Sequence, residues 1–234
     1  MRERKVTGLQ DSERMADTMA DTMTEYTRWI RPEEIEKRSM EIIGQEMPEG
    51  NWTPEELAVV KRCIHTSADF DYAENLYFSD QAILHAREAL GKGATIITDT
   101  SMAAAGINRK ALKRLGVSVR CFMAEEETAR EARERGITRA AVCMEHGAAL
   151  PGPLMFAIGN APTALLRLYE LIREKKAEPA FIIAAPVGFV NVTEAKELIR
   201  TAGVPCIIAR GRKGGSNIAA AVCNALLYLC GGRN

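Results

Sequence analysis

The chain has 234 residues, a length within the range of a single α/β domain, and its 47% hydrophobic and 26% charged residues are ordinary for a soluble globular protein. Lysine plus arginine and aspartate plus glutamate number 31 each, so the net charge does not indicate a nucleic-acid or membrane surface. No apolar run reaches the roughly 18 residues of a membrane span, and the first residues lack an apolar signal region, so we expect a cytoplasmic protein.

The chain begins with a polar segment. Residues 1–25 lack a steady apolar period, so we expect a loosely ordered leader, with residues 26–234 forming a single domain. An amphipathic helix is predicted from about Pro32, which suits a first turn, to Gly44, which suits a helix end.

Two further helices are predicted before the pattern changes. Thr53, followed by Pro54 and by Glu56, forms a capping box that starts the second helix, which is predicted to run to about His65. The third helix is predicted from Ser79 to Gly91. The residues between these two helices are predicted to form a polar and aromatic loop.

From residue 93 onward, short apolar segments alternate with helical patterns. Parallel strands are near-continuous apolar runs because helices cover both faces of their sheet, so the chain is predicted to be an α/β protein with a three-layer open sheet. The predicted strands are residues 93–100, 117–123, 154–160, 180–187 and 204–210, with 138–144 as either a strand or a helix start. The predicted helices are residues 102–116, 125–136, 162–174, 193–202 and 216–229.

Ligands of such sheets bind outside the carboxyl ends of the strands, near the point where the strand order reverses. This rule selects four loops, which are Asp99–Met102, Gly159–Pro162, Pro186–Val192 and Arg210–Ser216.

The segment from Arg210 to Ser216, R-G-R-K-G-G-S, is the strongest candidate for an anion site. It combines three cations with glycines that allow close approach, and it opens a helix whose first N–H groups are free. The spacing matches neither a P-loop nor a dinucleotide motif, so a phosphate or carboxylate clamp is predicted rather than an ATP or NAD site. The alternative interpretation is a flexible basic surface turn.

Two other loops have weaker signals. Asn160 can cap the helix that follows it, the role that its position favours, or contact a ligand. Val187, Phe189 and Val190 form an apolar lip that suggests a large, partly apolar ligand, and ordinary packing into the core is an equally good interpretation.

His65 lies near the end of the second predicted helix, and Arg62 precedes it by one helical turn, so both side chains should face the same way. An imidazole beside a guanidinium can form an acid–base site for an anionic ligand, although a helix-end histidine is more often structural. His85 and His146 are interpreted as structural.

Metal binding by the protein is not expected. The six cysteines lie mostly in apolar runs and form no C-x-x-C pair, so reduced core thiols are predicted. The acidic cluster of Asp69, Asp71 and Glu74 has no imidazole or thiolate at metal-binding spacing.

Five segments together resemble the precorrin-8X methylmutase family. They are R-C-I-H-T-S-A-D-F, the F-S at the start of the third helix, G-N-A-P-T-A-L, P-V-G-F-V and R-G-R-K-G-G-S, and the resemblance covers about residue 30 to the C-terminus. It implies a flavodoxin-like α/β/α fold with extra N-terminal helices, a homodimer, and an isomerase that moves a methyl group from C-11 to C-12 of a corrin ring in cobalamin biosynthesis. No cofactor is implied, because any cobalt belongs to the substrate. The segment H-T-S-A-D-F favours the branch of the family that acts on cobalt-precorrin-8.

The resemblance also implies site residues. The family's catalytic histidine falls on His65, and its substrate contacts fall on Arg62 and Ser39. Further substrate contacts are expected at Arg210, Gly211, Gly214, Gly215 and Asn160. The corrinoid's carboxylates would be held by Arg62, Arg210, Arg212 and helix N-termini, and its ring face would meet the apolar lip.

Two alternatives stay open at this point. One is a tetrapyrrole-binding carrier without catalytic activity. The other is a flavodoxin-like enzyme that binds a phosphorylated metabolite at the basic glycine turn.

Overall fold

The computed structural model describes residues 31–231, and the predicted leader lies outside them. The chain divides into two compact units, residues 1–42 and residues 43–234. Helix α1, Pro32–Glu46, is the first described element and extends two residues beyond the predicted end at Gly44. The predicted division into a leader and one domain stays a prediction.

The second unit contains the sheet. Its strands are β1 (Leu76–Phe78), β2 (Thr95–Thr98), β3 (Ser118–Arg120), β4 (Leu154–Ile158), β5 (Phe181–Ala184) and β6 (Cys206–Ala209). Its helices are α2 (Pro54–Ser67), α3 (Tyr72–Asn75), α4 (Ala82–Gly91), α5 (Ser101–Gly106), α6 (Arg109–Leu115), α7 (Glu126–Arg135), α8 (Arg139–Ala148), α9 (Pro162–Arg173), α10 (Val192–Arg200) and α11 (Ser216–Gly231).

The six strands form one sheet in the order β1-β6-β5-β4-β2-β3. β2 to β6 are parallel, whereas β1 is an antiparallel edge strand with Tyr77 opposite Ile208. Without β1, the order is that of the flavodoxin-like fold, as expected. The strand order reverses between β2 and β4, which makes the crevice at their carboxyl ends the expected ligand site.

The core explains why these strands are apolar throughout. Every residue of β4, β5 and β6 is buried, with Phe156 opposite both Ile97 and Ile182 in the ladder. Helix α11 packs against α2, α4, α5 and α6 in one layer, and α8, α9 and α10 pack in sequence in the other. The sheet is therefore covered on both faces, which is the predicted three-layer arrangement.

Local signals predicted most element boundaries well. Thr53 caps α2 in a complete capping box, in which its hydroxyl accepts from the Glu56 N–H and its own N–H donates to the Glu56 carboxylate. Residues 138–144 begin a helix, which was one of the two predicted alternatives.

Two predictions were wrong. The predicted helix 102–116 is two helices, because Asn108 interrupts it and caps α6 by accepting the N–H groups of Lys110 and Ala111. The loop predicted after His65 contains α3 and β1, whose edge strand of three residues is too short to show an apolar pattern.

Candidate functional site

Asp99 bridges the crevice where the strand order reverses. The residue directly follows β2, its side chain is fully buried, and its carboxylate accepts the N–H groups of Gly159, Asn160 and Ala161 at 2.8, 2.8 and 2.6 Å. Burial raises the pKa of this carboxyl above its usual value, although the three N–H groups oppose the shift. The end of β4 is therefore held by a carboxylate of the protein itself.

This arrangement corrects two expectations. The N–H groups of the loop after β4 donate to Asp99, so they are not available to a substrate carboxylate. Asn160 does not cap α9, because Ala161 occupies the N-cap position and no side chain accepts a hydrogen bond there. The side chain of Asn160 is exposed, and its predicted contact with substrate stays a prediction.

The loops after β2 and β4 pack directly against the segment from Arg210 to Ser216, which we call the basic turn. The hydroxyls of Thr100 and Ser216 lie 2.8 Å apart. A Cβ on Gly159 would lie 2.6 Å from Ser216 Cα, so only glycine permits this approach. Loops that are distant in sequence thus form one surface at the carboxyl edge of the sheet.

The basic turn is held from behind by a buried lysine. Lys196 on α10 is fully buried, and its Nζ donates to the carbonyl oxygens of Gly211 and Lys213, both at 2.8 Å. Burial lowers the pKa of Lys196 to about 8. The carbonyl oxygen of Arg212, between these two, accepts the Gly188 N–H at 3.1 Å.

The glycines of the basic turn allow the chain to lie close to the loop after β5. A Cβ on Gly214 would lie 2.2 Å from the Ala185 carbonyl oxygen, and the Gly215 N–H donates to that same oxygen at 2.8 Å. The predicted close approach is thus made by the protein's own backbone. Substrate contacts of Gly211, Gly214 and Gly215 stay predictions.

The three cations of the basic turn have different surroundings. Arg210 pairs with Glu197 at 3.2 Å, and Lys213 pairs with Asp69 and Asp71 at 2.6 and 2.5 Å. Within residues 31–231, Arg212 has no carboxylate at ion-pair distance, and its guanidinium carbon lies 5.5 Å from the centre of the Phe189 ring. Arg212 is therefore the cation of this turn that is available to an anionic ligand.

The predicted apolar lip is exposed. Val187, Phe189 and Val190 are 47%, 83% and 75% accessible, so they do not pack into the core of the described chain. Large apolar side chains exposed together are typical of a binding surface. The stacking of Arg212 on Phe189 places a charge at the edge of this surface.

His65 lies in the last turn of α2, which ends where Ala68 adopts a left-handed conformation with φ 54°. The imidazole is exposed, and its pKa is lowered by partial desolvation and by the positive charge of Arg62. Arg62, one turn earlier, is half-buried, and its guanidinium carbon lies 5.5 Å from the centre of the Tyr228 ring on α11. Burial lowers the pKa of Arg62 as well.

The acidic cluster after α2 connects His65 to the basic turn. Asp69 follows His65 by four residues, and its carboxylate pairs with Lys213. The Asp71 N–H donates to the Asp69 carboxylate at 3.0 Å, which fixes the loop between the two acids. The end of α2 that bears His65 is thereby tied to the turn that bears Arg212.

Ser39 lies on α1 in the first compact unit, where its hydroxyl donates to the Ile35 carbonyl oxygen at 2.9 Å. Its predicted contact with substrate stays a prediction. Among residues 31–231, no group of three or more His, Cys, Asp or Glu side chains is placed to hold a metal ion. No helix in this range is long and apolar enough to cross a membrane.

Sequence reasoning missed Lys196, and it selected the loop that begins at Asp99 without giving the Asp99 side chain a role. Lys196 follows Val192 by four residues and precedes Ile199 by three, both of which are buried, so helical periodicity alone places it on the buried face of α10. Asp99 directly follows a buried strand, which is the position where an edge carboxylate is expected to be functional.

Comparisons with known proteins agree with the geometry. The family model described as Precorrin-8X methylmutase matches residues 34–229. The Cobalt-precorrin-8 methylmutase of Priestia megaterium is 36% identical over 200 residues, covering 86% of this chain and 89% of the relative. The Precorrin-8X methylmutase of Pseudomonas aeruginosa is 42% identical over 174 residues, covering 74% of this chain and 82% of the relative.

A solved structure has the same fold. The precorrin-8X methylmutase of Thermus thermophilus superposes with a TM-score of 0.78 at 38% identity, covering 84% of this chain and 97% of the other. The family match spans most of the chain and includes the segments that carry His65, Asn160 and the basic turn. The chain therefore belongs to the precorrin-8X methylmutase family, isomerases of cobalamin biosynthesis that move a methyl group within one molecule.

Proposed function

We propose that this protein moves the methyl group of cobalt-precorrin-8 from C-11 to C-12 to give cobyrinate, with His65 as the proton donor and acceptor. The observation that carries the proposal is the tie between the end of α2 and the basic turn, through Asp69 and Lys213. This tie supports a single site that combines the exposed imidazole with the cations of the basic turn. The relatives from Priestia megaterium and Salmonella typhimurium, both named Cobalt-precorrin-8 methylmutase, support the cobalt form of the substrate.

The chemistry needs a proton rather than a redox group. A methyl shift around a conjugated ring is a rearrangement with no net electron transfer, so we propose that no cofactor is required. Protonation of a ring nitrogen by His65 withdraws electron density and lowers the barrier, and the same imidazole takes the proton back afterwards. General acid–base catalysis of this kind contributes on the order of 10²–10⁴-fold.

The surroundings of His65 suit this role. In the free protein the lowered pKa of His65 favours the neutral imidazole. Carboxylates of a bound corrinoid would offset the positive charge of Arg62 and raise the pKa of His65 again. Substrate binding would therefore supply the protonated form.

We propose that the substrate carboxylates are bound by Arg62, Arg212 and the N–H groups of the basic turn. Arg210 contributes as well, after it exchanges its ion pair with Glu197 for one with the substrate. Exposed ion pairs are weak, about 0–1 kcal/mol, so this exchange costs little. The corrin ring face would lie on Val187, Phe189 and Val190. Ser39, Asn160, Gly211, Gly214 and Gly215 complete the proposed contacts.

Metal-free precorrin-8 is a second candidate substrate, which the relative named Precorrin-8X methylmutase in Pseudomonas aeruginosa supports. We also propose that the protein is a cytoplasmic homodimer, as the family resemblance implies. Sedimentation of the purified protein at micromolar concentration tests the dimer, since a single species of 25.7 kDa would contradict it.

The deciding experiment incubates the protein with cobalt-precorrin-8 and, separately, with metal-free precorrin-8, and follows the absorbance change of the ring. We expect turnover by the wild type and a loss of at least 100-fold in kcat for His65→Ala. His85→Ala, on α4, is the matched control. Turnover by His65→Ala close to that of the wild type would contradict the acid–base role.

The same experiment separates the remaining alternatives. A carrier would bind the corrinoid without converting it, so the spectrum would stay that of the substrate. An enzyme for a phosphorylated metabolite would convert neither form of precorrin-8, and inorganic phosphate, but not corrinoids, would compete for its ligand site.

A further inference from the structure

Lys196 is buried without an anionic partner. Its side chain is fully inaccessible, and within residues 31–231 no carboxylate lies at ion-pair distance from its Nζ. A buried ammonium costs free energy unless it is paired, and its lowered pKa of about 8 reflects that cost. Methionine would avoid this cost but would leave the carbonyl oxygens of Gly211 and Lys213 without their donor, so the role of the lysine is tied to the basic turn.

The hydrogen bonds of Lys196 determine how the basic turn is oriented. The carbonyl groups of Gly211 and Lys213 point towards Lys196, and the carbonyl group of Arg212 points towards the Gly188 N–H. All peptide bonds described are trans. In a trans peptide, the C=O and the following N–H point in opposite directions.

The N–H groups of residues 212 and 214 therefore point away from Lys196, and the N–H group of Lys213 points away from Gly188. In the described part of the chain, none of these three N–H groups has an acceptor. Backbone N–H groups of a turn that have no acceptor in the protein are donors for an anionic ligand. The positive charge of Lys196 lies behind those of residues 212 and 214, at the carbonyl ends of the same peptides, and adds to the attraction for an anion.

We propose that Lys196 is a positioning residue for substrate binding: it orients the N–H groups of residues 212 and 214 towards one carboxylate of the corrinoid and places a buried positive charge behind them. The inference rests on the proposed function and adds a residue to it. Lys196 itself does not touch the substrate, because it is fully buried and bonded to the inner side of the turn. Its effect should therefore appear in substrate affinity rather than in the chemical step.

Steady-state kinetics of Lys196→Met test the proposal. We expect KM to rise about tenfold, which corresponds to about 1.4 kcal/mol, while kcat stays within about threefold of the wild type. The control is Lys176→Met, which makes the same substitution on an exposed lysine in the loop that leads into β5. An unchanged KM, or a fall in kcat without a rise in KM, overturns the proposal.

A second measurement uses the wild type and does not depend on the variant's folding. Backbone amide signals of residues 212 and 214 are followed by NMR while hydrogenobyrinate, the product expected from metal-free precorrin-8, is added. We expect both signals to shift on binding, and unshifted signals in the saturated protein overturn the proposal. If the wild type converts neither form of precorrin-8, the proposed function fails and this inference fails with it. Normal wild-type turnover with an unaffected Lys196→Met removes the inference alone.

Discussion

Lys213 and Asp69 form an ion pair of 2.6 Å that joins the basic turn to the loop after α2. Asp71 accepts a second hydrogen bond from the same ammonium at 2.5 Å. The pair is one structural link between the loop that follows His65 and the basic turn. Its partners are partly exposed, so the link should matter more for geometry than for stability.

Replacing Lys213 with methionine tests this link. We expect kcat to fall about tenfold, because the loop that follows His65 loses its tether and the imidazole loses its position. The free energy of unfolding should change by less than about 1 kcal/mol, since exposed ion pairs contribute little. Kinetics and urea unfolding measure the two effects. Lys176→Met, which removes an exposed pair with Glu174, is the control, and an unchanged kcat for Lys213→Met would show that the tether has no role.

The titration of His65 should depend on Arg62. We expect NMR to give a His65 pKa below 6.5 in the free protein, and a higher value in Arg62→Met, because removing a positive charge favours protonation. The shift will be partial, since desolvation is the larger cause. The NMR signals of the His85 and His146 rings, which lie on other helices, are the controls for indirect effects of replacing Arg62.

The same relationship predicts the pH dependence of the reaction. If protonated His65 is the acid, kcat/KM falls as pH rises through the pKa of His65 in the free enzyme. In Arg62→Met, the fall in kcat/KM should occur at higher pH, whatever happens to the maximum value of kcat/KM. A fall at the same pH in both proteins would mean that another group titrates.

The pH dependence of the free energy of unfolding provides a further check on the direction of the His65 pKa shift. Because the folded protein holds the His65 proton less tightly than the unfolded chain, this group stabilises the fold above about pH 6.5. The contribution is lost as pH falls through that value, since protons then bind preferentially to the unfolded state. The loss should be smaller in Arg62→Met, as measured by urea unfolding between pH 5 and 8.

Arg212 and Arg210 should differ in their importance for binding. We expect Arg212→Met to raise KM about tenfold, because a charge-assisted hydrogen bond to a carboxylate is worth roughly 1.5–3 kcal/mol and partial exposure reduces it. Arg210→Met is the matched control and should raise KM less than about threefold, since Arg210 is already paired with Glu197. A larger rise in KM for Arg210→Met than for Arg212→Met would contradict this prediction.

Asp99→Asn should destabilise the protein and not merely its site. An asparagine offers one oxygen and one NH₂ group to the three N–H groups of residues 159–161, so at least one of these donors loses its acceptor. The expected cost is about 1–3 kcal/mol. Urea unfolding measures it, with Asp80→Asn at an exposed position as the control. Equal stability of Asp99→Asn and the wild type would show that the carboxylate is not needed to hold this loop.

Much of the fold follows from short-range patterns in the sequence. The strands β2, β4, β5 and β6 are apolar runs because both of their faces are covered, and the capping box at Thr53 involves residues only three positions apart. The edge strand β1 was missed because its three residues pair with β6 from more than 100 positions away. Its stability depends on that partner rather than on its own composition.

The candidate site was only partly predictable for the same reason. His65, Arg62 and the basic turn are recognisable from residue type and spacing, and their catalytic and binding roles remain predictions. The sequence alone determined which loops lie at the carboxyl edge of the sheet, because parallel strands place their ends together. Only the tertiary structure decided how those loops are connected: Asp99 to Gly159, Lys196 to Gly211 and Lys213 to Asp69 are contacts across 15 to 144 positions. Hydrogen bonds over such separations depend on strand order and helix packing, which no local pattern of residues encodes.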